Sequence, residues 1–129
     1  MTERDRKRPT DAELKILRVL WRRGAGTVRQ VHRALNRTRP TGYTTTLKQM
    51  QVMTAKGLLV REESRRPQLY RAAFSQDETQ RQLLDHLIDG AFGGSASRLV
   101  MQALRARDVS AEEIQQIEGL LNELEGDEP

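Results

Sequence analysis

Thr44, Thr45, Lys48, Gln49 and Val52 share one stripe of a helix-forming segment, opposite the apolar residues Leu47, Met50 and Met53. Hydroxyls, an amide and an ammonium suit base edges and phosphates, and a methyl-bearing Thr or Val can touch a thymine methyl. Thr44 falls where the helix opens, and the free backbone N–H groups there attract a phosphate. Each residue also has a plainer role: Thr44 as an N-cap, Lys48 as a solvated charge. Taken together, the stripe points to nucleic acid. Arg65 and Arg66 lie in a short basic turn and are candidates for phosphate or minor-groove contact. The alternative for them is protection of an edge strand against aggregation. Arg29, Arg33, Arg37 and Arg39 lie on or just after a preceding helix, near the expected path of a nucleic-acid backbone. Such arginines supply affinity and not sequence choice.

The charge distribution agrees. Residues 1–75 carry 18 Lys/Arg against 6 Asp/Glu, and residues 76–129 carry 4 against 12. A front half at +12 and a back half at −8 indicate a polyanion-binding front and a back half with another task. Other chemistries find little support. The chain has no cysteine, which removes disulfides and thiolate sites. His32 and His86 are far apart and show no metal-ligand spacing. Glu112 and Glu113 read as an acidic first turn that complements a helix dipole. Gly24, Gly26, Gly93 and Gly94 make no phosphate loop. No enzyme activity, metal or cofactor is expected. Leu14–Trp21 is interrupted by Lys15 and Arg18, so it is neither a signal core nor a membrane span, and a soluble cytoplasmic protein is expected.

The elements that must position these residues follow from capping pairs and periodicity. Residues 1–8 read as a disordered basic arm. Thr10 with Glu13 opens helix 1, whose face is Leu14, Leu17 and Trp21 with Ile16 and Leu20 beside them. Thr27 with Gln30 opens a short helix through about Asn36. Helix 3 runs from about Thr44 to Lys56 and stops at Gly57. Two β-prone runs, Leu58–Glu63 and Gln68–Phe74, surround the basic turn as a hairpin, with Pro67 suited to an edge or loop. Three helices and a hairpin with a basic tip are the order of a winged helix-turn-helix domain, here residues 9–75. Helix 3 is then the rod that enters a major groove.

Residues 76–125 read as a helical dimerisation domain, with an acidic tail at 126–129. Ser75 with Glu78, Ser95, and Ser110 with Glu113 open its three helices. So short a segment cannot bury its own apolar faces, and a second copy would bury them twice. The residues expected to do so are Leu83, Leu84, Leu87, Ile88 and Phe92, then Leu99, Val100 and Leu104, then Ile117, Leu121 and Leu124. With Ile114, the last three form a seam at spacings of 3, 4 and 3. The alternative is packing onto the winged domain within one chain. The fold class is therefore mostly α with a small β-hairpin: a winged helix-turn-helix domain plus a C-terminal helical dimerisation region.

Several segments resemble the penicillinase repressor family. They are Pro9–Leu17, Gly42–Lys48, Lys56–Leu59, Tyr70–Ala72 and Phe92–Ala96, collinear over residues 9–125. The resemblance implies a homodimeric transcriptional repressor on a palindromic double-stranded operator. Thr44, Thr45 and Lys48 then read the major groove, and Arg66 is the wing arginine. Many members carry an arginine where this chain has Val52, which implies a different base preference. The copper-responsive branch carries C-terminal cysteines and is excluded. In the antibiotic-responsive branch a membrane sensor metalloprotease triggers cleavage in the dimerisation region. The corresponding bond here falls near Gln102 and Ala103, although the residues around it are not that branch's usual pair. Two rival functions are a winged-helix module that binds protein and a repressor released by a small ligand. The low aromatic content offers little to line a ligand pocket.

Overall fold

Local capping chemistry starts most of the helices. In the computed structural model, which describes residues 7–126, Thr10 Oγ1 accepts the Glu13 amide at 3.2 Å and Glu13 Oε1 accepts the Thr10 amide at 2.9 Å. Thr27 and Gln30 repeat both bonds at 3.2 and 2.9 Å. These boxes open α1 (Asp11–Arg23) and α2 (Val28–Thr38). Then α3 (Tyr43–Ala55) ends where Gly57 adopts φ +85°. The Gly57 amide donates to the Thr54 carbonyl at 3.1 Å and the Leu58 amide to Met53 at 2.9 Å. This paired closure needs a left-handed residue, hence glycine. It turns the chain into β1 (Leu59–Glu62), which pairs antiparallel with β2 (Leu69–Ala72), Leu59 opposite Ala72 and Glu62 opposite Leu69. Ser75 with Glu78, Ser95, and Ser110 with Glu113 cap α4 (Gln76–Gly90), α5 (Ala96–Ala106) and α6 (Ala111–Gly126). The result is a winged helix-turn-helix followed by three further helices. Most of the arm expected over residues 1–8, and the tail beyond Gly126, lie outside the described residues.

The chain divides into two units, Met1–Asp85 and His86–Pro129. The first holds the core: Ile16, Leu17 and Leu20 from α1, Val28 and Val31 from α2, Met50 and Met53 from α3, with Leu58, Leu59 and Tyr70. Its centre differs from the expected face in two places. In α1, Ile16 and Leu20 are fully buried, whereas Leu14 and Trp21 are partly so. Trp21 sits at the core's edge because its indole N–H donates to the Phe74 carbonyl at 3.0 Å. In α3, Thr46 is buried and Leu47 only half so. Thr46 tolerates the core because its hydroxyl donates to the Gly42 carbonyl at 3.3 Å, leaving a methyl to pack. A third extended segment joins the hairpin: Gly26 exchanges both backbone bonds with Tyr70, at 2.9 and 2.8 Å.

Glu13 does more than cap. Its Oε2 accepts from Lys56 Nζ at 2.8 Å, so the start of α1 is tied to the C-cap of α3 across 43 residues. Burial pushes the carboxyl up, but the Lys56 ammonium and the Thr10 amide outweigh it and hold the pKa below its ordinary 4.5. A carboxyl lowered in the folded state stabilises fully above the unfolded value, and that contribution is lost as pH falls through the folded one. Glu13→Gln should keep the box, as Gln30 does in α2, and lose only the charge pair. We expect it to cost about 1 kcal/mol at pH 7 and to flatten the fall of thermal midpoint below pH about 4.5. Thermal melts from pH 3 to 7 would read this; an equally steep acid limb would count against the pair.

Candidate nucleic-acid interface

With Thr46, Met50 and Met53 turned inward, the opposite face of α3 is fixed by the helical period. Its centre is Thr44, Lys48, Gln51 and Ala55, all exposed. Thr45 and Val52 flank it on one side, also exposed. Gln49 is half-buried and lines a small cavity of about 270 Å3 with Thr10 and Glu13 of the α1 start. The structure therefore brings Thr44, Thr45, Lys48 and Val52 onto one free surface and sets Gln49 at its border. Gln51 was not among the residues singled out from sequence. Its signal is the i, i+4, i+7 spacing from Thr44 through Lys48, and its amide is the type that pairs two-pronged with adenine.

The start of α3 is built differently from the other helices. Gly42 is the N-cap and supplies no side-chain bond, so Thr44 is the second helical residue and not the cap. The backbone N–H groups of Tyr43, Thr44 and Thr45 have no helical acceptor, and they sit at the positive end of the helix dipole. The turn before them is pinned from both sides. His32 Nε2 lies 2.7 Å from the Thr41 carbonyl, which can only accept, so this nitrogen carries the proton. The Thr41 amide donates to Asn36 Oδ1 at 2.9 Å. The Tyr43 ring meets His32 edge-on at 5.7 Å, and the Arg29 guanidinium stands 5.9 Å from the Tyr43 centroid. Arg29 is thus tied to the first residue of α3, with Arg33 exposed one turn further along α2.

In the hairpin loop, Arg65 and Arg66 are exposed, and neither has an ion-pair partner among the described residues. Arg61 is held instead by Glu63 at 2.6 Å. The tip therefore presents two free guanidiniums on a short hairpin. Arg66→Ala is expected to lower the log–log salt slope of DNA binding by about 0.9 for each phosphate it neutralises. A titration from 50 to 300 mM salt reads the slope directly, and an unchanged value removes Arg66 from the contact.

None of the apolar residues described in the back half is fully buried. No described residue from His86 onward is buried. Leu84 and Leu87 of α4, Val100 of α5, and Leu121 and Leu124 of α6 are exposed. Leu83, Ile88, Phe92, Leu99, Leu104 and Ile117 are half-buried. Gln102 and Ala103 are exposed in the middle of α5. Among the described residues no His, Asp and Glu converge as a metal cluster would, and no helix is long and apolar enough to cross a membrane.

No curated protein matches the chain. The sequence model of the family described as penicillinase repressor does match, over residues 9–123, nearly the whole length. That match, on a chain that folds as a winged helix-turn-helix, places it: the protein belongs to the penicillinase repressor family, DNA-binding repressors of transcription.

Proposed function

We propose that the protein represses transcription as a homodimer on a palindromic operator, α3 of each protomer reading one half-site in the major groove. The observation that carries this reading is the back half: α5 and α6 are amphipathic helices with no buried residue. Residues 9–75 are the reading domain and residues 76–125 the pairing domain, with Leu83, Leu84, Leu87, Ile88, Phe92, Leu99, Val100, Leu104, Ile117, Leu121 and Leu124 closing against a second copy. An isologous two-fold contact would cover these faces in both copies at once. Rigid pairing then matches two recognition helices to half-sites about one turn of DNA apart. Thr44, Thr45, Lys48, Gln51 and Val52 face the bases, Gln49 borders them, and Arg29, Arg33, Arg65 and Arg66 hold the backbone.

Derepression follows from cutting the pairing domain. The bond between Gln102 and Ala103 lies within a helix, and a protease needs it extended. Gln102 and Ala103 are exposed on α5, between the residues that pair, so a protease can reach this bond once the helix opens locally. A membrane sensor metalloprotease is the proposed agent. The experiment is selection of a duplex from a randomised pool, footprinting, and a gel shift before and after co-expression with the sensor. A palindromic footprint lost on cleavage in α5 supports the reading. A footprint without two-fold symmetry contradicts the dimer, and an intact chain on derepression contradicts the proteolysis.

A further inference from the structure

A groove of about 550 Å3 runs along the outside of α1 and past the end of α2. Lys15, Arg18 and Arg22 of α1 line it at spacings of three and four, so they share one helix face. Arg37 and Arg39 line it from the α2 side. All five are exposed, and none has an ion-pair partner among the described residues. Like charges at these spacings repel, so five unneutralised cations in one groove work against the fold unless an anion occupies it. Thr45 and Gln49, at the flank of the α3 face, also line the groove.

We propose that this groove is a second DNA-binding surface, which holds the sugar-phosphate backbone as it leaves the α3 face. The inference rests on the reading of α3 given above. Continuity with that face favours DNA over an acidic protein segment, since one strand can pass from Thr45 into the groove without a break. Lys15 to Arg22 spans about 10 Å of helix. That is about the axial rise of three phosphates on one strand. Away from Thr45 and Gln49 its charges are long side chains beside the small or aliphatic residues Ala12, Val19, Ala34 and Leu35, which suits a backbone more than base edges. Its contribution is affinity without sequence choice.

The test is the double variant Arg18→Ala/Arg22→Ala, titrated with salt against a selected operator duplex and a random-sequence duplex of equal length. The salt slope should fall by about 0.9 for each phosphate released. Affinity at 0.15 M salt should drop about tenfold or more on both duplexes, leaving their ratio unchanged. Arg18→Lys/Arg22→Lys should restore slope and affinity, and circular dichroism melts should coincide for all three proteins. Ethylation interference should lose its signal at the corresponding phosphates. An unchanged slope on both duplexes overturns the proposal. So does loss of binding to a labelled polyglutamate peptide with DNA binding intact, which would assign the groove to an acidic protein segment. If Lys48→Ala leaves operator binding untouched, the α3 reading has failed instead; if it weakens binding while the arginine variant does not, only the groove has.

Discussion

Leu121→Lys combined with Leu124→Lys is expected to convert the protein to single chains and to weaken operator binding by roughly 100-fold or more. Both leucines are more than half exposed in the isolated chain, so lysine there removes little packing within it. In a pair, the same lysines would bring four ammonium groups into an apolar seam, and each would have to shed its water. The winged unit keeps its own core of Ile16, Leu20, Met50 and Met53 and should melt as before. What is lost is the effective concentration that one bound head gives the other. Sedimentation velocity together with a gel shift would show both effects. Single chains that bind the operator as tightly as the parent would separate pairing from recognition.

The second large effect is on α3. Lys48→Ala with Gln51→Ala removes an ammonium and an amide from the centre of the exposed face, and a two-fold complex loses each of them twice. A well-placed base contact contributes about 1–3 kcal/mol of discrimination. Even the lower bound, doubled by symmetry, weakens the operator complex about 30-fold. Random-sequence duplex should feel the loss of Lys48 as charge alone, so the ratio of specific to random affinity must fall. Both side chains are exposed, so the dimer and its melting point should not change. An unchanged ratio would mean that another face of α3, or another element, reads the bases.

What could be read from sequence was set by how local the physics is. Capping boxes act across three residues, and Thr10–Glu13, Thr27–Gln30, Ser75–Glu78 and Ser110–Glu113 all close at the helix starts they mark. The glycine stop at Gly57 and the hairpin around the basic turn are local in the same sense. The misses are of longer range. The Glu13–Lys56 pair, the Trp21–Phe74 bond and the Gly26–Tyr70 bridge join residues 43 or more apart along the chain, and no spacing rule reports them. In α3 the period was legible but its phase was not. Reading Leu47 as core in place of Thr46 rotates the helix toward Gln49 and passes over Gln51. A threonine whose hydroxyl is satisfied by its own helix packs as a small aliphatic residue, which composition alone does not disclose.

The pH response of Glu13 and the salt response of Arg66 probe the scaffold and the wing, and the groove along α1 extends the footprint. None of these bears on whether the exposed leucines close on a second copy, the step on which two-fold recognition of a palindrome depends. Sedimentation equilibrium of the full chain, free and with one molar equivalent of a selected palindromic duplex, asks this without any mutation. The expected result is twice the chain mass when free, across micromolar concentrations, and two chains per duplex when bound. Single chains at a concentration that already saturates the palindrome would contradict it.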